Sequence, residues 1–143
     1  MREITEEVTQ KRLVTKYVAD DGNVFGDKNE CARYCDLIAR YNNLVAGRID
    51  EYDMIEFGNC ECYVDIVRMA TEEDADVVKA MWTFRSVGNR SDREFASIDR
   101  ALKENDILFI SRGYYDDEFY IYGSAAEIIE RLANYRKFEK DKN

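Results

Sequence analysis

A run of arginines and aromatic residues between Trp82 and Arg93 is the part of the sequence best suited to chemistry. From Arg85 to Arg93 the chain has three Arg and one Asp, a local charge of +2, so the remaining residues sum to −11. Arginine recognises phosphate in a planar, bidentate manner, and an aromatic ring stacks a nucleobase for about 1–3 kcal/mol. The segment therefore indicates a site for a small anionic ligand of nucleotide type. Its candidate ligand-binding residues are Trp82, Phe84, Arg85, Asn89, Arg90 and Arg93.

A plainer interpretation of the same segment stays open. In that interpretation Trp82 fills the core, and the arginines form surface ion pairs with the carboxylates that the chain has in excess. Both interpretations use the same residues, so the sequence does not separate them.

A further arginine with aromatic neighbours follows the apolar run that begins at Ile107. Arg112 precedes Gly113 and Tyr114, close to the predicted end of a strand. Tyrosine combines a stacking surface with a polar tip, which suits a pocket wall. Arg112 and Tyr114 therefore complete the candidate ligand-binding set, whereas Tyr120 and Tyr122 fit ordinary aromatic packing across a hairpin.

The four cysteines form two pairs, Cys31 with Cys35 and Cys60 with Cys62. Four thiolates can hold zinc, but the CxxC spacing of a structural zinc knuckle is absent from both pairs. Buried cysteine is also a common small apolar residue. We therefore expect no metal site, with the four-cysteine zinc site as the alternative.

Catalytic chemistry has little support in the sequence. The chain has no His, which removes His-dependent triads and the commonest acid–base group near pH 7. No phosphate-binding glycine loop or hydrolase motif occurs. The acidic run at 72–76 fits the first turn of a helix, and that at 116–118 fits a hairpin turn. We expect no enzyme, no catalytic residues and no cofactor, with a carboxylate-dependent phosphodiesterase as the weakest alternative.

The composition sets the remaining limits. The chain has 143 residues, of which 45% are hydrophobic, and a net charge of −9, which argues against binding to duplex nucleic acid. It has no apolar run long enough to span a membrane, and its polar, acidic beginning is unlike a secretory signal. The sequence therefore predicts a cytoplasmic protein with reduced cysteines.

The elements that would position these residues are a mixture of strands and helices. The predicted order is βαβααββα, an α+β fold with helices packed on an antiparallel sheet. Residues 1–143 are expected to form a single domain. An extended strand at about residues 3–20 would begin it, and a frayed tail at about residues 137–143 would end it.

Turn and capping signals place the boundaries of these elements. Asp27 caps a helix expected from about Lys28 to Ala46, with Gly47 as its stop and a linker from Arg48 to Asn59. The other predicted elements are a strand at 60–69, helices at 71–85 and 92–105, hairpin strands at 107–112 and 118–122, and a last helix opened by a capping box at 124–127.

The beginning of the chain resembles that of many small phage and prophage proteins. Lys16–Phe25 combines a strand with an Asp-Gly turn, and Glu30–Tyr34 begins a helix. Together with its size, its acidity and the later arginine–aromatic segment, the chain is similar to the phage sponge proteins that counter Thoeris defence. That family binds glycocyclic ADP-ribose signals made by bacterial TIR-domain enzymes.

The resemblance implies a function of sequestration. Members of the family hold the signal without cleaving it, and they assemble as homo-oligomers. The resemblance implies an adenine stacked on an aromatic ring and phosphates held by arginine, roles that Phe84, Asn89, Arg90 and Arg112 would fill. The alternative is an acidic phage inhibitor that binds a host defence protein directly, of anti-CRISPR or anti-restriction type.

Overall fold

The structure is a computed structural model that describes residues 1–8, 12–50, 62–85, 91–113 and 119–141. The chain divides into two compact units, Met1–Asn42 and Asn43–Asn143. Whether they act as the single domain expected from the length stays a prediction.

The first unit is a small antiparallel sheet with one helix. Its strand order is β1-β2-β3, and β1 pairs with β2 so that Arg2 lies opposite Val18. Ala19, Cys31 and Tyr34 form its buried centre. The elements are β1 (Arg2–Glu7), β2 (Leu13–Val18), β3 (Val24–Phe25) and α1 (Lys28–Leu44), the last of which reaches two residues past the unit.

Local sequence signals explain where the chain reverses direction within this unit. Gly22 has a φ of 93°, a conformation that glycine adopts without strain, so the chain reverses between β2 and β3 as predicted. Asn23 and Tyr34 both donate hydrogen bonds to the Asp21 carboxylate, which ties this turn to α1. Asp27 accepts a hydrogen bond of 2.8 Å from the backbone N–H of Asn29, as expected of a helix cap.

The second unit contains a four-stranded antiparallel sheet in the order β4-β5-β6-β7. Three helices accompany it in the part of this unit that the structure describes, and α2 and α3 contact each other as well as the sheet. The elements are β4 (Val45–Ile49), β5 (Cys62–Arg68), α2 (Glu72–Arg85), α3 (Ser91–Glu104), β6 (Ile107–Gly113), β7 (Phe119–Ser124) and α4 (Ala125–Asp141).

The register of this sheet separates its two faces. Directly paired residues of antiparallel strands project to the same side. Val67 lies opposite Leu108, and Ile110 lies opposite Ile121, so one face carries a row of buried apolar side chains. The other face has a smaller apolar cluster, in which Ile49, Phe109 and Tyr122 pack against the fully buried Val64.

The predicted α+β class is confirmed, since the described residues form four helices and two antiparallel sheets. The observed order, βββαββααββα, differs from the predicted one in its strands. Two strands, β1 and β2, occupy the segment predicted as one extended strand. At the other end, α4 continues to Asp141, through most of the segment for which the charged composition predicts fraying.

The predicted helix from about Lys28 is confirmed, but its end differs from the prediction. The helix ends at Leu44, two residues before the predicted Ala46, and the next five residues form β4, part of which was predicted as a linker. Val45 and Ile49 pair with Val67 and Val64 of β5. Pairing with a strand some 20 residues further along outweighs the local helical pattern, and β-branched side chains suit it.

Among the described residues, no helix has both the length and the apolar character needed to cross a bilayer.

Candidate functional site

Three adjacent strands bring two arginines, an aspartate and a tyrosine to one face of the second unit's sheet. Arg48 of β4 lies opposite Asp65 of β5, and Tyr63 of β5 lies opposite Arg112 of β6. Tyr63 and Asp65 are two residues apart on the same strand, so their side chains share a face. We call these four residues the arginine cluster.

The carboxylate of Asp65 is the centre of the cluster. Its side chain is fully buried, and its Oδ1 accepts a hydrogen bond of 2.8 Å from Nε of Arg48. Its Oδ2 lies 3.7 Å from Nη1 of Arg112, within ion-pair distance. A buried charge of this kind is stable only when it is paired, so Asp65 holds both guanidinium groups beside it.

The ring of Tyr63 lies under both guanidinium groups. The Cζ atom of Arg48 is 4.6 Å from the ring centroid, and that of Arg112 is 5.8 Å from it. Both distances are within the range of cation–π attraction. The ring and the carboxylate therefore restrict the orientation of the two arginines from two sides.

The two arginines differ in their access to solvent. The side chain of Arg48 is 50% exposed, whereas that of Arg112 is 17% exposed. Two guanidinium groups and one carboxylate give the cluster a formal charge of +1, within a chain of −9. The cluster is therefore a preorganised pair of guanidinium groups with an aromatic surface beside it.

This arrangement is suited to binding rather than to proton transfer. Guanidinium groups donate hydrogen bonds in a fixed planar geometry and stay protonated at all ordinary pH values. Phosphate and carboxylate groups match that geometry. The cluster thus supplies donors and positive charge, and its one carboxylate is already engaged by arginine.

Arg112 is the predicted site residue that belongs to this cluster. Phe84 is 48% exposed near the end of α2, and Arg93 is exposed in the first turn of α3. Three other predicted residues, Asn89, Arg90 and Tyr114, lie outside the described residues, as does the side chain of Arg85.

Trp82 takes part in the contact between α2 and α3. Its indole N–H donates a hydrogen bond to the carboxylate of Glu94, which is almost fully buried. Its ring meets that of Phe95 edge to face, with 5.1 Å between the centroids. These contacts support the plainer interpretation of Trp82 as a packing residue more than its role as a base-stacking one.

Sequence reasoning missed Arg48, Tyr63 and Asp65 as candidate site residues. Arg48 fell in a predicted linker. A signal for Asp65 was present, because alternation along β5 puts it on the same face as the apolar Val67. A charge in such a position needs a partner, and that requirement alone identifies Asp65 as a residue to examine.

The structure describes the side chains of two of the four cysteines. Cys31 is buried and Cys35 is half-buried, and both are free thiols. Burial raises the pKa of the Cys31 thiol, which favours its protonated form. Cys60 and the side chain of Cys62 lie outside the described residues. Within the described ranges, no group of three or more Cys, Asp or Glu is arranged to hold a metal ion.

Comparison of the chain with protein families, with curated proteins and with solved structures finds no match. The family suggested by the resemblance therefore stays a prediction.

Proposed function

We propose that this protein binds a small anionic ligand of nucleotide type at the arginine cluster and holds it without cleaving it. The observation that carries the proposal is the pair Arg48 and Arg112, fixed on either side of Asp65 and stacked on Tyr63. Preorganised guanidinium groups bind a phosphate with little loss of side-chain entropy, because that entropy was lost on folding.

Each residue of the cluster has a distinct part in the proposal. The half-exposed Arg48 makes the first contact with the anion, and the more buried Arg112 supplies a second positive charge. Asp65 is a positioning residue, which acts through the arginines rather than by touching the ligand. Phe84, which is partly exposed on α2, stays the proposed stacking partner of the ligand's base.

The resemblance supplies the ligand, the biological role and the assembly that we propose. The ligand would be glycocyclic ADP-ribose, and the protein would be a phage-encoded inhibitor of antiviral defence, active as a homo-oligomer in the host cytoplasm. A site built from arginine and tyrosine, in a chain without His, supports sequestration over turnover.

The proposal is tested by calorimetry with glycocyclic ADP-ribose, followed by heating of the complex and analysis of the released compound. We expect saturable binding and recovery of the intact ligand after the protein has been denatured. A hydrolysed product would contradict sequestration. The absence of heat at saturating concentrations would contradict this choice of ligand.

Substitutions in the arginine cluster test whether the ligand binds there. Arg48→Gln and Arg112→Gln each remove one charge-assisted hydrogen bond, worth about 1.5–3 kcal/mol, so we expect the Kd to rise by about 10- to 100-fold. Glutamine is preferable to glutamate at position 112, since a new carboxylate would lie beside the buried Asp65.

Arg68→Gln is the matched control. Arg68 lies at the other end of β5, and its Nη1 donates a hydrogen bond of 2.8 Å to the carbonyl of Asn105. We expect its Kd to equal that of the wild type. An equal loss of affinity in this variant would mean that general charge, rather than the cluster, drives binding.

A further inference from the structure

The last helix is held to its unit differently from the other helices that the structure describes. Helices α1, α2 and α3 each bury several side chains, whereas none of the side chains described in α4, those of residues 125–138, is buried. A helix in a protein owes most of its stability to the packing of an apolar face. Other contacts must therefore hold α4 in place.

Hydrogen bonds to carboxylates take the place of apolar packing at the beginning of α4. Asp106 accepts a hydrogen bond of 3.0 Å from the backbone N–H of Ala126. The hydroxyl of Ser97, a buried residue of α3, donates one of 3.0 Å to the carboxylate of Glu127. These bonds join α4 to α3 and to the residue that precedes β6.

An ion pair continues this contact one turn further along α4. The guanidinium of Arg100 donates two hydrogen bonds to the carboxylate of Glu130, the shorter of which is 2.6 Å. The side chain of Glu130 is 59% exposed, and that of Arg100 is 35% exposed. Ion pairs in contact with water contribute little to stability, so this one adds only weakly to the attachment.

The same turns of α4 lie against β7, the last strand of the four-stranded sheet. The guanidinium of Arg131 donates a hydrogen bond to the carbonyl of Tyr122, at the point where the register of β6 and β7 shifts. A side chain at Gly123 would meet this guanidinium, so glycine leaves room for the contact. We call residues 125–131 the docked turns of α4.

We propose that α4 is a detachable helix, whose docked turns leave α3 and β7 together while the four-stranded sheet stays folded. Local opening of this kind occurs where few apolar contacts are buried. Its consequence is that Ser97 and the backbone of β7 at Tyr122 are uncovered without unfolding of the core. The inference does not depend on the proposed ligand.

Native-state hydrogen exchange, followed by NMR in increasing concentrations of urea, tests the proposal. The backbone N–H groups of residues 129–132 bond to the carbonyls of residues 125–128, so they report on the docked turns. A detached helix of 17 residues is only marginally stable in water, and its N–H groups therefore exchange.

We expect the N–H groups of residues 129–132 to exchange at least about 100-fold faster than those of β5 and β6. Their exchange should also depend less on urea, because undocking exposes less surface than unfolding. Exchange at the rate and with the urea dependence of the sheet would overturn the proposal.

A substitution in the sheet separates undocking from global unfolding. Val67 is fully buried on β5, two strands from β7, and Val67→Ala should speed exchange in β5 and β6 by about 10-fold. Exchange of residues 129–132 should stay within about 2-fold of the wild type, because the docked and detached forms contain the same altered sheet. Ile110→Val is a milder deletion that serves the same purpose if Val67→Ala does not fold. Equal acceleration of the sheet and of α4 would overturn the proposal.

A substitution in the docked turns tests the contacts themselves. Glu127→Ala removes the acceptor of the Ser97 hydroxyl and should speed exchange of residues 129–132 by about 10-fold. Asp99→Ala is the matched control, because Asp99 is also an acidic residue at the α3 surface but pairs with Lys79 of α2. We expect it to leave the exchange of residues 129–132 unchanged. Unchanged exchange in Glu127→Ala, or equal acceleration in both variants, would contradict the role of these contacts.

Discussion

Asp65 is the residue on which the arginine cluster depends. A fully buried carboxylate is costly to desolvate, and Arg48 and Arg112 offset that cost with opposite charge and a hydrogen bond. In turn, the Asp65 carboxylate holds both arginines in place, and a ligand cannot displace it because it is buried in the core. A binding site that keeps its shape when empty requires such support.

The dependence predicts a large loss of stability when the carboxylate is removed. Asp65→Asn removes the buried negative charge that pairs with Arg48 and Arg112, so we expect the free energy of unfolding to fall by about 3 kcal/mol. Urea denaturation measures this change. Asp76→Asn, at an exposed position on α2, should stay within about 0.5 kcal/mol of the wild type. Equal effects of the two substitutions would contradict the central role given to Asp65.

At this scale the sequence predicts candidates rather than the assembled site. Arg112 was predicted from its residue type and its place at a strand end. Arg48 could not be predicted, because its role depends on a strand pairing with a segment that begins 14 residues after it. Trp82 was predicted as a ligand contact from its neighbours in sequence, whereas its described contacts are with Glu94 and Phe95 of the next helix.

The elements owe their boundaries mainly to local capping chemistry. Thr71 Oγ1 accepts a hydrogen bond of 3.2 Å from the backbone N–H of Asp74, and Ser124 with Glu127 does the same for α4. Both signals involve residues three apart, so the sequence predicts them well. Strand β4 depends instead on pairing with β5, and local pattern reasoning assigned its first residues to a helix.

The capping box of α4 gives a prediction at this scale. In the folded chain Glu127 accepts hydrogen bonds from the backbone N–H of Ser124 and from the hydroxyl of Ser97. Glu127→Ala removes both acceptors and should lower the free energy of unfolding by about 1–2 kcal/mol. Glu127→Gln keeps an acceptor at the same place and should recover at least half of that loss. Urea denaturation of the two variants compares them directly, and equal losses would refute the capping role.

The contact between α3 and α4 gives a pH-dependent prediction. Hydrogen bonds from Arg100 lower the pKa of Glu130 below its ordinary value of 4.5. A carboxyl group with a lowered pKa in the folded state stabilises the fold at pH values above 4.5, and the contribution disappears as the pH falls through the folded pKa. Arg100→Gln should therefore lower stability at pH 7 and have a smaller effect at pH 3. An equal effect at both pH values would show that the ion pair contributes nothing.

At the scale of the whole molecule, the distribution of charge matters more than its total. The net charge of −9 disfavours duplex nucleic acid, yet the arginine cluster places two guanidinium groups around one carboxylate. Such a pair of arginines suits a small anion. Composition alone does not predict this location, because it depends on how three strands bring distant residues together.

The most direct test of the central proposal is a two-dimensional ¹H–¹⁵N spectrum of the arginine side chains, recorded with and without glycocyclic ADP-ribose. A chain of 16.8 kDa is within the range of this method. We predict that the Nε–H signals of Arg48 and Arg112 shift on binding, while those of Arg68 and Arg100 stay in place. Shifts confined to other arginines, or no shift at a saturating ligand concentration, would contradict the assignment of the arginine cluster as the binding site.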